Sequence, residues 1–406
     1  MYPLAAGAAS IAAMRFTLLI VLAVAGPAQA IQTCELAGEH VNPANGHTTA
    51  GKTGLMRCKD ADTGVIQREQ ELRDGKFVGA VRFYRNGVLE REHRVNQRGN
   101  REGLAREYAA TPGGRNPLLR EETLRNGTTV GLARSWHANG TLRRASFHGD
   151  DGREQAVAEF NDRGQLGELR CAAQPLLAPA ADDAAWCGHR GAPASVSLFN
   201  SRGELTGRRV HERGELRSRE SFWDNGKPRE TVEIGAQGGV ERSFAQDGVK
   251  RLERQWQWAV SGAGETKRRI TTQEQEFHES GTLVRERRWA PGERGAELRS
   301  EKRWYLNGQP SEASEYTNDS GRLLRRDTAF HDNGKPRFEG SYAVTGRYEQ
   351  QPVGVHRGFD EAGRLRAERH HDERGRVTRE RELDEAGKVT RDDAVFEDGS
   401  RKAFSR

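Results

Sequence analysis

The sequence predicts an all-β fold, an elongated antiparallel array of β-hairpin repeats of about 24 residues each, laid out as an open meander sheet with a disulfide-tied cap and insertion. Three observations carry this expectation. First, an aromatic residue is followed four positions later by glycine ten times, and in most copies two positions after that by leucine or proline. The aromatics are Phe83, Trp136, Phe160, Phe199, Phe222, Phe244, Phe277, Trp304, Phe330 and Phe359, and the glycines are Gly87, Gly140, Gly164, Gly203, Gly226, Gly248, Gly281, Gly308, Gly334 and Gly363. Second, glycines recur in steps of 12, as at Gly75, Gly87 and Gly99 or Gly363, Gly375, Gly387 and Gly399. Such steps leave strands of about 6–8 residues between turns. Third, 31% of residues are charged and only 34% hydrophobic, too little apolar material for a thick core. Yet 14 Phe, 7 Trp and 7 Tyr exceed what a disordered chain carries. A thin array in which each unit buries a little against the next satisfies both facts.

The elements follow in order. Residues 1–30 read as a secretory signal peptide: Arg15, an apolar run from Phe16 to Ala25, and an Ala28-Gln29-Ala30 cleavage site. Residues 31–66 form a cap bounded by Cys34 and Cys58, because the end of an array needs an atypical unit. Hairpin repeats fill 67–170. Residues 171–196 break the period between Cys171 and Cys187 and read as a disulfide-tied insertion. Repeats resume over 197–260, a linker spans 261–272, and a last run of repeats fills 273–406. Beyond Gly363 this run is poor in large apolar residues and is expected to fray. In an exported chain four cysteines predict disulfides. Of the three connectivities the local one is favoured, Cys34 with Cys58 and Cys171 with Cys187, each closing a loop worth about 3 kcal/mol. Zinc is the weaker reading, since the spacings are not C-x-x-C.

Turn chemistry supports the hairpins. Asn86-Gly87, Asn126-Gly127, Asn139-Gly140, Asn225-Gly226, Asn307-Gly308 and Asn333-Gly334 are Asn-Gly pairs, in which both residues tolerate positive φ. Asp74-Gly75, Asp151-Gly152, Asp247-Gly248 and Asp398-Gly399 offer the same with Asp. The strands between carry alternating opposite charges, as in Arg379-Glu380-Arg381-Glu382, which suits cross-strand pairing with both faces wet.

The segment from Gly131 to Leu142, GLARSWHANGTL, resembles the variant class of MORN repeat found in bacterial proteins filed as YwqK-family antitoxins. Gly354 through Leu365 is similar, and Gly79 through Leu89 follows with a one-residue offset. Phe160, Phe199, Phe277 and Phe330 have Gln155, Ala194, Thr272 and Arg325 where the leading glycine would stand. Asp360 through Leu365 also resembles the YD repeats of Rhs-type shells. Both resemblances imply a β-hairpin array without a catalytic motif of its own.

Other chemistry is weak. Gly46-His47-Thr48-Thr49-Ala50-Gly51-Lys52-Thr53 fits the Walker A pattern, but phosphate binding needs a strand before it and a helix after it. No nucleotide, and no other cofactor or metal, is expected. His137, His278 and His331 each follow a repeat aromatic and read as solvent-facing strand residues. His370-His371 reads as surface, and no Ser/His/Asp grouping stands out. A net charge of +6 with interleaved signs argues against nucleic acid. The expectation is a non-enzymatic protein, periplasmic or secreted, cleaved after Ala30. It would bind a protein partner in the cell envelope, as scaffold or antitoxin- and immunity-like neutraliser. The alternative is binding of anionic membrane lipid or cell-wall polysaccharide through local runs such as Lys267-Arg268-Arg269 and Arg285-Glu286-Arg287-Arg288-Trp289.

Overall fold

A computed structural model describes residues 32–111, 113–261, 266–292, 295–319, 321–346 and 349–404. The expected signal peptide lies outside the described residues. The described chain is nearly all β, with 29 strands and two helices of four residues, Gly46–Thr49 and Asp183–Trp186. Two compact units divide it, 1–101 with 110–116 and 102–109 with 117–406. That division falls inside the expected repeat run 67–170 rather than at the insertion.

In the first unit the strand Gln32–Leu36 lies between Glu39–Val41 and Gly54–Asp60, and Ile66–Arg73, Lys76–Arg85 and Val88–Val95 follow in chain order. Cys34 stands directly opposite Cys58, and the two form a disulfide. Around it Leu36, Val41, Met56 and Leu72 are buried, so the cap has a small core of its own.

In the second unit the strands from Arg101–Tyr108 to Leu166–Arg170 pair antiparallel in chain order. After the insertion, 17 strands from Ala194–Phe199 to Arg401–Ala403 do the same with no crossover. Cys171 and Cys187 form the second disulfide, and Cys187 is fully buried among Leu169, Leu177, Val196 and Leu198. The insertion thus adds Leu177, Ala181 and Cys187 to an apolar core built mainly by the strands on either side of it. Elsewhere most strand residues are half-exposed, as the composition requires.

Three expectations need correction. The stretch 261–272 is no linker, since Thr266–Phe277 is a 12-residue strand paired with Lys250–Ser261 as far as Ser261 opposite Thr266. Trp256, Trp258 and Ile270 give that hairpin enough apolar surface to extend it. Strands here reach 12 residues, beyond the expected 6–8. Finally, the stretch beyond Gly363 forms the paired strands Leu365–His371, Val377–Leu383 and Val389–Val395. Ion pairing across them stands in for the missing apolar residues.

Candidate functional surface

The repeat motif is the closing pair of a hairpin. Each aromatic except Phe83 stands opposite the residue six positions on, as Phe160 opposite Leu166, Trp304 opposite Pro310 and Phe359 opposite Leu365. Proline fits there because it is the first residue of its strand, as in Pro228–Ile234. A five-residue loop joins the pair. In the loop after Trp136, His137 N donates to Thr141 O at 2.9 Å and Gly140 N to His137 O at 2.9 Å. Glycine is required at the fourth loop position, where φ is +87° at Gly140, and all ten repeat glycines have positive φ. The ten aromatics are all half-buried.

The Asn-Gly pairs divide into two kinds. Asn86 and Asn126 take positive φ, 50° and 49°, and close two-residue hairpins with the next glycine. Asn139, Asn225, Asn307 and Asn333 do not, and use their side chains instead. Each amide Nδ2 donates to a carbonyl in the next turn on the same side of the meander: Asp162 at 2.8 Å, Gln246 at 2.7 Å, Asp332 at 2.8 Å and Glu361 at 2.7 Å. The residue after the aromatic does likewise. His137 Nε2 lies 2.9 Å from Phe160 O, Trp223 Nε1 3.1 Å from Phe244 O, and Tyr305 Oη 2.9 Å from Phe330 O. His331 Nε2 is 3.3 Å from Phe359 O. These histidines therefore tie turn to turn rather than face solvent from a strand, whereas His278 bonds locally to Ser280.

The faces carry ionic rows. Arg57, Glu69, Arg82 and Glu92 stand opposite one another on successive strands, with contacts of 3.1, 3.5 and 3.5 Å. Glu241, Arg254, Glu274, Arg287, Glu301, Ser314 and Asp327 form a second row. Glu339, Arg357, Glu368, Arg381 and Asp392 form a third. Burial alone would raise the carboxyl of Glu274, but hydrogen bonds from Arg254 and Arg287 outweigh it and hold it below the usual carboxylate range. Glu69 is held low in the same way by Tyr84 and Arg57 against its burial, and Glu368 by His370 and Arg357. Burial and Glu69 in turn push the Tyr84 hydroxyl up to about 12.

Concavities lie along the sheets. One, 860 Å³ on the strands from Arg101–Tyr108 to Glu154–Phe160, is lined by four arginines and four glutamates. A second, 510 Å³, is lined by four arginines and one glutamate. Within the first, Ser146 Oγ lies 3.2 Å from His148 Nε2. Glu154 approaches that same nitrogen at 3.9 Å, while Nδ1 meets Gly152 O at 3.2 Å. A nucleophilic triad needs the carboxylate on the opposite ring nitrogen, and Ser146 is only 4% exposed. Among the described residues no group of three or more His, Cys, Asp or Glu is placed to hold a metal ion. His370 bonds Glu368 at 3.0 Å, and the His371 ring meets that of His356 at a tilt, 4.4 Å between centres. In the Walker-like segment a strand, Gly54–Asp60, follows Thr53, and Lys52 is paired with Glu39 at 2.7 Å.

Fold and surface thus define an antiparallel hairpin-array protein with ion-paired faces. Two disulfides account for all four cysteines and point to an oxidising, non-cytoplasmic environment. No family model and no curated protein matches the sequence. Among solved structures, the crystal structure of TcdB2-TccC3-Cdc42 aligns over 86% of this chain and 20% of that chain, at 10% identity and a TM-score of 0.18. A porin-like protein from Bacteroides uniformis aligns over 68% of this chain and 96% of that one, at 10% identity and a TM-score of 0.13. At such scores neither alignment bears on what this chain does.

Proposed function

We propose that the chain is an exported, non-catalytic scaffold that binds a protein partner in the cell envelope. One observation carries this reading: the sheet faces present half-exposed side chains whose charges are already paired in fixed rows. Arg254, for example, is held by Glu274 at 2.6 Å, and Arg357 by Glu368 at 3.2 Å. Side chains ordered before binding lose less entropy when a partner arrives. A surface of interleaved sign selects a partner of complementary pattern rather than any polyanion. The signal-like residues 1–30 and the disulfides support export to the periplasm or beyond. An immunity-like role against a toxin reaching the envelope is the finer form of this reading, implied by the MORN-type resemblance.

The test is affinity capture from envelope extract and culture fluid on residues 31–406, at low and at moderate salt. One protein retained at both salts, in a saturable 1:1 or other fixed ratio, is expected. Retention of lipid or polymer alone, lost at moderate salt, would contradict the protein-partner reading.

A further inference from the structure

The insertion is clasped to the tip of one hairpin. Strands Leu205–Glu212 and Glu215–Phe222 meet in the turn Arg213-Gly214, where φ is 51° and 82°. That turn points its donors at the insertion: Gly214 N donates to Cys187 O at 2.8 Å and Arg213 N to Gly188 O at 3.2 Å. The approach leaves no room for side chains. A Cβ on Gly188 would come within 2.5 Å of His211 O, and one on Gly214 within 2.1 Å of Ala172 O. Because Cys171 and Cys187 are bonded, both arms of the insertion, at Ala172 and at Cys187-Gly188, meet this one turn.

Two histidines are built into the clasp. His211, just before the turn, is 3% exposed and stands opposite Ala194 and Leu216. Its Nδ1 is buried and bonded to nothing among the described residues. His189 Nε2 is buried and unbonded too, and its ring lies against Gly214. A neutral imidazole leaves such a nitrogen as an idle acceptor. An imidazolium has donors on both nitrogens and would strand a buried N–H. The surrounding charges oppose a proton further. Arg209 lies along the same strand, with Arg219 opposite it and Glu168 acting on it. Glu212 and Glu215 are held by Arg217, and Asp182 of the insertion by Arg190. Burial, then the charge of Arg209, accordingly holds the His211 imidazole at about 4.

We infer that this clasp is a pH-sensitive latch: neutral His211 keeps the insertion shut over the strands beneath it, and a proton on His211 releases it. The latch is fully closed above the unfolded histidine value of about 6.5 and loosens as pH falls toward the folded one. Release uncovers apolar side chains, because Leu177 and Trp186 of the insertion share one core with Leu142, Phe160 and Leu169. The Cys171–Cys187 bond keeps the released segment a closed loop, poised to seat again when the proton leaves. This goes beyond the protein-partner reading and does not depend on it, since capture of a protein and the latch can each fail alone.

The experiment is hydrogen exchange on residues 31–406 at pH 7 and at pH 5, with rates corrected for the intrinsic effect of pH. Opening at the Arg213 and Gly214 amides, which close the clasp, is expected to rise about tenfold or more at the lower pH. Strands Pro228–Ile234 and Gly238–Phe244, which carry no histidine, should change far less. In His211→Gln, whose amide does not titrate, the clasp should open equally at both pH values. A proton NMR titration of the His211 ring in the unsubstituted protein reads the same latch without a substitution. Equal clasp opening in the unsubstituted protein at the two pH values, an equal rise in the two control strands, an undiminished pH response in His211→Gln, or a His211 ring titrating at about 6.5 would each overturn the proposal.

Discussion

The side-chain amide of Asn307 donates to the backbone carbonyl of Asp332, 2.8 Å away and 25 residues further along the chain. The same asparagine accepts from Gln309 N at 3.0 Å, so one side chain closes its own turn and ties it to the next on that side. Because Asn139, Asn225 and Asn333 do the same, the repeat is held together at its turns as well as through its strands.

Asn307→Ala is therefore expected to cost about 1–3 kcal/mol, from two lost hydrogen bonds at about 0.5–1.5 kcal/mol each. Hydrogen exchange should locate the loss at residues 305–309 and 331–335. Unchanged exchange at 331–335 would show that the contact to Asp332 contributes nothing.

Asn86 and Asn139 each precede a glycine and should respond differently to glycine. Asn86 has φ of 50°, a conformation glycine adopts freely, so Asn86→Gly should be nearly neutral. Asn139→Gly removes bonds to Asp162 O and to Thr141 N and Oγ1 and should cost about 1–2 kcal/mol. Urea unfolding of the two variants side by side checks the contrast.

Acid should weaken the fold in two stages. Burial, then the charge of Arg209, lowers the His211 imidazole to about 4, and burial chiefly lowers His93 and His371 too. A depressed histidine contributes stability that is complete above its unfolded value of about 6.5 and is lost as pH falls toward the folded one. The row carboxylates Glu69, Glu274 and Glu368, also depressed, act lower down. Their contribution is complete above about 4.3 and lost as pH falls through their folded values. The urea midpoint should thus drop between pH 7 and 5, and drop less in His211→Gln.

Reduction of Cys171–Cys187 should loosen the insertion at a cost of about 2–4 kcal/mol. Cys187 is fully buried, and Trp186 packs against Phe160 at 5.9 Å. Hydrogen exchange in the paired variant Cys171→Ser with Cys187→Ser should rise over 171–193 while strands beyond 336 stay unchanged.

The hairpin array was legible because its cause is local: an aromatic, a glycine and a leucine or proline at fixed spacing close a hairpin wherever they occur. What Asn-Gly does was less so. A two-residue turn and a five-residue loop use the same dipeptide, and the strand register decides between them, as Asn86 and Asn139 show. The Trp256–Gly239 contact rests on register across separate strands, which no local pattern displays. Fraying beyond Gly363 was inferred from missing apolar residues, yet Arg379 and Arg381 on Asp392 and Arg357 on Glu368 hold those strands together. The two basic runs were visible in the sequence, but that they lie on neighbouring strands is shown only by the pairing.

Zero-length cross-linking of a captured protein to residues 31–406 tests most directly whether the ion-paired faces do the binding. Attachment is expected at strand carboxylates such as Glu301, Glu312 and Glu339, which stand on the sheet faces. Attachment confined to turn residues such as Asp332, Glu361 and Glu385 would contradict it and make the turn ladder the recognition surface.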